Sequence, residues 1–158
     1  MIQAIARVLE NKIDLRVGGE VWTCRPVVSA SGAIARRVAA LFATVYETHR
    51  SSEPAEVYST VSYHIKKDEI LVQISEQKWR SRSSVFGPMT IEYGGLVYTI
   101  HEKLIGKFSV LRDGEVLGQG EVGFRSCTLR DLSPDLEMFF ANVVLGYLIR
   151  TLVWEGLR

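Results

Sequence analysis

Between Val57 and Leu129 the chain alternates apolar and polar residues in short runs, and after Ser133 the alternation stops. The period-two runs are Val57–Ile65, Ile70–Ser75, Trp79–Phe86, Met89–Tyr93, Leu96–Glu102, Lys107–Leu111, Val116–Val122 and Ser126–Leu129. They are rich in β-branched and aromatic residues, which suits pleated, half-buried strands. Turn residues separate them: Lys67-Asp68-Glu69, Gly87-Pro88, Gly94-Gly95 and Asp113-Gly114. Asp113-Gly114, between FSVLR and EVLGQGEV, is the strongest hairpin signal in the chain. An earlier strand pair, Ile13–Val17 and Val21–Cys24, is joined across Gly18-Gly19. Between the two strand regions Ile34, Val38, Leu41, Phe42 and Val45 recur at helical spacing, with Arg36, Arg37 and Glu47 opposite. This pattern predicts an amphipathic helix over Ala33 to His49, lying outside the packed strands or capping one end of them.

The last stretch, SPDLEMFFANVVLGYLIRTLVWE, carries a helix-start signature: Ser133 as N-cap, Pro134 at the first helical position, Asp135 and Glu137 in the first turn. From Leu136 to Trp154 its apolar residues go nearly all the way round, broken by a narrow stripe of Asn142, Gly146 and Arg150. Such a helix is either the centre of a soluble core or a membrane span. A span needs about 20 apolar residues. The run from Met138 to Trp154 is shorter, contains Arg150, and has no cluster of Lys or Arg beside it. The expectation is a buried helix and no transmembrane span. Something must then enclose it on every side.

A strand meander removes its exposed edges by closing into a barrel. A barrel of about a dozen strands is too wide for its side chains alone to fill. An apolar helix would occupy the interior. The predicted architecture is therefore α+β: one domain, residues 1–158, an antiparallel barrel wrapped around the C-terminal hydrophobic helix, with one additional amphipathic helix. The strand meander with GGLVYTIHEK, the FSVLRDGEVLGQGEV hairpin and the final apolar helix resembles the tubby C-terminal-domain-like group over roughly residues 56 to 155. That group includes tubby proteins, LURP-one-related proteins and phospholipid scramblases. The resemblance implies a barrel threaded by a hydrophobic helix, and a binding or membrane-associated module rather than an enzyme.

Composition narrows the classes further. Nineteen basic against eighteen acidic residues leave a formal charge of +1, without the basic excess usual for nucleic-acid partners. The N-terminal MIQAIARVLENKIDL carries acidic residues early and no small-residue cleavage pattern, so it does not read as a signal peptide. Cys24 and Cys127 form no CxxC, and read as small buried apolar residues of a cytoplasmic protein. His49, His64 and His101 are isolated, with no ligand spacing, so neither a metal nor a cofactor is expected. Gly118 to Gly123 spells GxGxxG, yet FRSCTLRDL follows it instead of a helix. A strand whose small residues crowd the core is the better reading.

Two sets of residues remain as candidates for chemistry. Lys78, Arg80 and Arg82 stand at i, i+2 and i+4 of a predicted strand, with Trp79 on the other face. Such a row suits an anionic lipid head group or a phosphate-bearing ligand, with Lys66, Lys67, Lys103 and Lys107 as additions. The bland alternative is a solvated outer face, or an edge guarded by charge. Arg150, in the apolar helix, needs a carboxylate such as Glu92, Glu102 or Glu121, or a place at the barrel mouth. No catalytic spacing is evident, so the leading expectation is a non-enzymatic, cytoplasmic module that meets the membrane peripherally. The competing readings are a small-ligand binder or enzyme with a mouth pocket drawing on His64, His101 and Arg150, and a structural subunit that self-associates through the Ala33 to His49 helix.

Overall fold

The computed structural model describes residues 1–28, 32, 34–35, 44–83 and 87–156. Twelve strands run in chain order: β1 (Ile2–Arg7), β2 (Lys12–Val17), β3 (Glu20–Pro26), β4 (Val45–Arg50), β5 (Ser59–His64), β6 (Glu69–Ile74), β7 (Gln77–Ser83), β8 (Met89–Tyr93), β9 (Leu96–Leu104), β10 (Lys107–Arg112), β11 (Glu115–Gly123) and β12 (Ser126–Arg130). Each pairs antiparallel with its neighbours in sequence, and β12 pairs with β1 to close the barrel. The closing register sets Ile2 opposite Leu129 and Ala4 opposite Cys127, so both inward rows continue across the seam. No edge strand is left among them.

Inside runs α1 (Pro134–Gly156), 23 residues or about 34 Å. It begins where predicted, with the Leu136 amide donating to the Ser133 carbonyl at 3.0 Å. By length and composition α1 could cross a membrane, but 72% of the apolar stretch is buried within the protein. Phe139 to Ile149 is buried without interruption. Phe139 stacks on Tyr93 at 3.9 Å between ring centres, Phe140 meets Tyr98 edge-on at 5.3 Å, and Phe108 stacks on Tyr147 at 4.9 Å. One polar cluster crosses this apolar packing. The Ser59 hydroxyl donates to Asn142 Oδ1 and also bonds the Thr48 hydroxyl, while Asn142 Nδ2 donates to the Met138 carbonyl at 3.0 Å. Asn142 is thereby satisfied while fully buried, and it fixes how α1 is rotated within the barrel.

Glycines make room where larger side chains crowd against α1 and within the wall. A Cβ at Gly146 would overlap Ile70, and one at Gly120 would overlap the Phe108 ring. The GxGxxG run is thus strand β11, with Gly120 making room for an aromatic neighbour. At Asp113-Gly114 both residues have positive φ, 51° and 78°, as a two-residue hairpin turn requires.

Two strands depart from the sequence reading. Residues 45–49, placed in the amphipathic helix, belong to β4. Tyr46 and Thr48 point inward and are buried, and β3 and β5 supply ladder partners on both sides. That pairing outweighs a local helical period. Ile34 and Ala35 are helical, Thr44 is not, and residues 33 and 36–43 of the predicted helix lie outside the described residues. β1 was not predicted as a strand at all. Residues 84–86 of the predicted Trp79–Phe86 strand also lie outside the described residues.

Candidate functional site

The topology divides the barrel into two ends. The turns after β1, β5, β9 and β11 gather where α1 finishes, and the connections after the even-numbered strands gather where it begins. Both candidate sets are placed by this geometry.

The first set lies on the wall. Alternation along β7 turns Trp79 and Ser81 inward, where Trp79 meets Phe139 at 5.3 Å and the Ser81 hydroxyl accepts from the Ile70 amide at 2.8 Å. Lys78, Arg80 and Arg82 therefore face solvent, as the pattern indicated, and all three are exposed. Side chains two apart on a strand stand roughly 6.5–7 Å apart. Arg80 is opposite Leu71 on β6 and reaches Glu69, with Nη1 to Oε1 at 3.3 Å. Lys78 and Arg82 have no carboxylate within ion-pair distance among the described residues. Lys66, Lys67, Lys103 and Lys107 do not join this row. They flank the β5–β6 and β9–β10 turns at the end where α1 finishes.

The second set is at that same end. Arg150 Nε donates to Asp68 Oδ1 at 2.8 Å, and Nη1 donates to Glu102 Oε1 at 3.3 Å. Its guanidinium also lies 5.6 Å from the centre of the Tyr147 ring. Tyr147 donates its hydroxyl to Glu102, Tyr63 donates to Asp68, and the Trp154 indole donates to the Tyr63 oxygen at 2.9 Å. Of the three carboxylates expected for Arg150, Glu102 is a partner, whereas Glu92 and Glu121 are exposed residues without a bond to it. Asp68 was missed because it stands in the Lys67-Asp68-Glu69 run, which reads locally as nothing more than a turn.

The charges respond accordingly. Burial would raise the Asp68 carboxyl, but the hydrogen bonds from Arg150 and Tyr63 outweigh it and hold the group below its ordinary range. Burial of Arg150 is likewise outweighed by Asp68, so the guanidinium stays charged. Burial, with the bond to Asp68, pushes the Tyr63 phenol up to about 12. Burial also pushes the Cys24 and Cys127 thiols well above their usual range, and no disulfide joins them. Thiolate chemistry at neutral pH is thus disfavoured at both.

A recess of about 300 Å³ opens beside Arg150, lined by Asp68, Ser83, His101, Glu102 and Tyr147 among others. Deeper in, the gap between Phe108, Phe140 and Val144 is only about 10 Å³, too small for a ligand. His64 and His101 are both exposed. Among the described residues no three of His, Cys, Asp and Glu converge as a metal-binding group. Comparison with protein-family models, curated proteins and solved structures finds no match for this chain.

Proposed function

We propose that this protein is a non-enzymatic binding module of the tubby-like kind its sequence resembles, and that it engages phosphate-bearing anionic groups through Lys78, Arg80 and Arg82. The observation that carries the reading is the alternation of β7. The same strand seals the core with Trp79 and Ser81 and presents three cations in a line to solvent. Support also comes from the filled interior: α1 occupies the space in which a barrel of this size would otherwise hold a substrate. An anionic surface or a polyphosphate is a ligand that needs no interior.

Each cation near an anionic bilayer contributes about 1 kcal/mol, and screening over a Debye length of about 8 Å weakens the attraction as salt rises. Wild-type protein should bind inositol hexaphosphate and phosphatidylserine-containing vesicles at low salt, and progressively less at high salt. A Lys78→Ser, Arg80→Ser, Arg82→Ser triple variant should lose most of that binding. Equal binding by the two proteins would overturn the reading. A second reading, a small-ligand site, is favoured by the recess beside Arg150. It predicts instead that binding of a soluble ligand survives the triple variant and is lost in His101→Ala.

A further inference from the structure

Resting on the anionic-surface reading above, we propose that the end of the barrel where α1 finishes is a membrane-docking face, whose apolar turn tips enter the head-group layer of an anionic bilayer.

The distribution of exposed apolar side chains points to this end. Leu9 on the β1–β2 turn and Ile105 on the β9–β10 turn are fully exposed. Leu104 and, on the β11–β12 turn, Phe124 are 74% and 78% exposed. Trp154 at the close of α1 and Ile65 after β5 add partly exposed surface at the same end. Nearer the other end, Met1, Val21, Val57, Leu96, Val97 and Val116 are 43–59% exposed. Apolar side chains raised to the tips of turns contribute nothing to the core, and burying them elsewhere is favourable.

The charges name the occupant. Lys66 and Lys67 follow Ile65, Lys103 precedes Leu104, Lys107 closes the same turn, and Arg125 follows Phe124, with its guanidinium 4.7 Å from that ring centre. All five cations are exposed, and none has a carboxylate within 4 Å among the described residues. Most acids of this end are engaged, Asp68 and Glu102 with Arg150 and Glu10 with Lys12, while Glu155 at the close of α1 is exposed without an ion pair among the described residues. The opposite end is the reverse. Its turns carry Glu53, Glu56, Glu76, Asp113 and Asp131, and α1 starts there with Asp135 and Glu137. Arg112 and Arg130 stand beside them and Arg50 pairs with Glu20 at 2.9 Å, so acids outnumber bases at this end. The net charge of +1 therefore conceals a molecule polarised along the barrel axis. Such a molecule orients on a negative surface with one end down.

A bilayer fits this relief better than a folded partner does. The tips stand on separate turns around the helix end. Phe124 is shared between two clefts of about 350 and 510 Å³, so the apolar groups do not merge into one flat patch. A fluid head-group layer accommodates separated apolar tips, each beside a lysine or arginine.

The test uses the full chain with phosphatidylcholine vesicles, with and without phosphatidylserine. Cys24 and Cys127 are fully buried, so a polarity-sensitive dye on Ile105→Cys labels the tip alone. Its emission should shift to the blue on anionic vesicles, and brominated lipid should quench it. Ile105→Ser with Phe124→Ser should keep the far-ultraviolet circular dichroism of the wild type. It should lower vesicle affinity roughly tenfold or more for each tip that buries in full. Unchanged affinity in that variant, or a bound protein whose dye still reports water, overturns the docking face. If at the same time the Lys78/Arg80/Arg82 variant fails to bind, the basic-row reading survives alone. Wild type that binds inositol hexaphosphate but no vesicle also overturns docking and leaves that reading standing. Binding of neither ends both. A dimer in light scattering that the tip variant abolishes, without vesicle binding, assigns the face to a second copy and overturns the proposal.

Discussion

Arg150, near the close of the central helix, is tied to Asp68 of the β5–β6 turn by an Nε to Oδ1 hydrogen bond of 2.8 Å. Residues 82 positions apart thus hold the helix end to the barrel wall. Side-chain exposures of 25% and 35% put the pair between surface and interior. Arg150→Ala and Asp68→Asn should each cost about 1–2 kcal/mol, below the roughly 3–5 kcal/mol for breaking a fully buried pair. A double-mutant cycle from urea unfolding should return a coupling of about 0.5–1.5 kcal/mol. Strict additivity would mean the bond is only a surface contact.

The same cluster predicts how stability varies with pH. Asp68 is held below its ordinary range in the folded protein. Its contribution is complete above the unfolded value of about 4, and is lost as pH falls through the lower folded value. Tyr63 is pushed up to about 12 when folded. Its contribution is complete below about 10, and is lost as pH rises from there toward 12. Asp68→Asn should therefore flatten the acid limb of a plot of urea midpoint against pH, and Tyr63→Phe should flatten part of the alkaline limb. Unchanged limbs would separate these groups from the linkage.

Gly146 sets local helix propensity against packing. In an exposed helix, Gly→Ala gains about 1 kcal/mol. Here the new methyl group overlaps Ile70, so Gly146→Ala should destabilise by about 1–3 kcal/mol. Combining it with Ile70→Val should restore part of the loss. A stabilised single variant would show that wall and helix can move apart freely.

The core should be costly to empty. Phe140 and Leu148 are fully buried between α1 and the wall. Phe140→Ala should cost about 3–5 kcal/mol and Leu148→Ala about 2–5 kcal/mol. A loss below about 0.5 kcal/mol at either position, by denaturant unfolding, would be incompatible with the enclosed helix.

Much of this was legible in the residues because it rests on local periodicity. A helix apolar on all faces states that its surroundings are apolar. The alternation through β7 states which of its residues share a face, and Lys78, Arg80 and Arg82 do lie together outside. Asp113-Gly114 prescribes its own turn through positive φ. These properties need no knowledge of distant chain.

What the residues could not state depends on partners far away. β1 is a strand because β12 offers it a ladder, and IQAIAR by itself carries too little alternation to demand one. Residues 45–49 leave a helical period because β3 and β5 present two open ladders on either side of them. Asp68 becomes the partner of Arg150 only once closure brings the β5–β6 turn to the helix end. Leu9, Ile105 and Phe124 look alike in sequence to any buried apolar residue. Barrel closure decides which turns share an end, and so decides that these three stand together in solvent. Short-range spacing therefore determined the elements and the faces they present. Long-range hydrogen-bond register, which closes the barrel and brings remote turns side by side, decided the site.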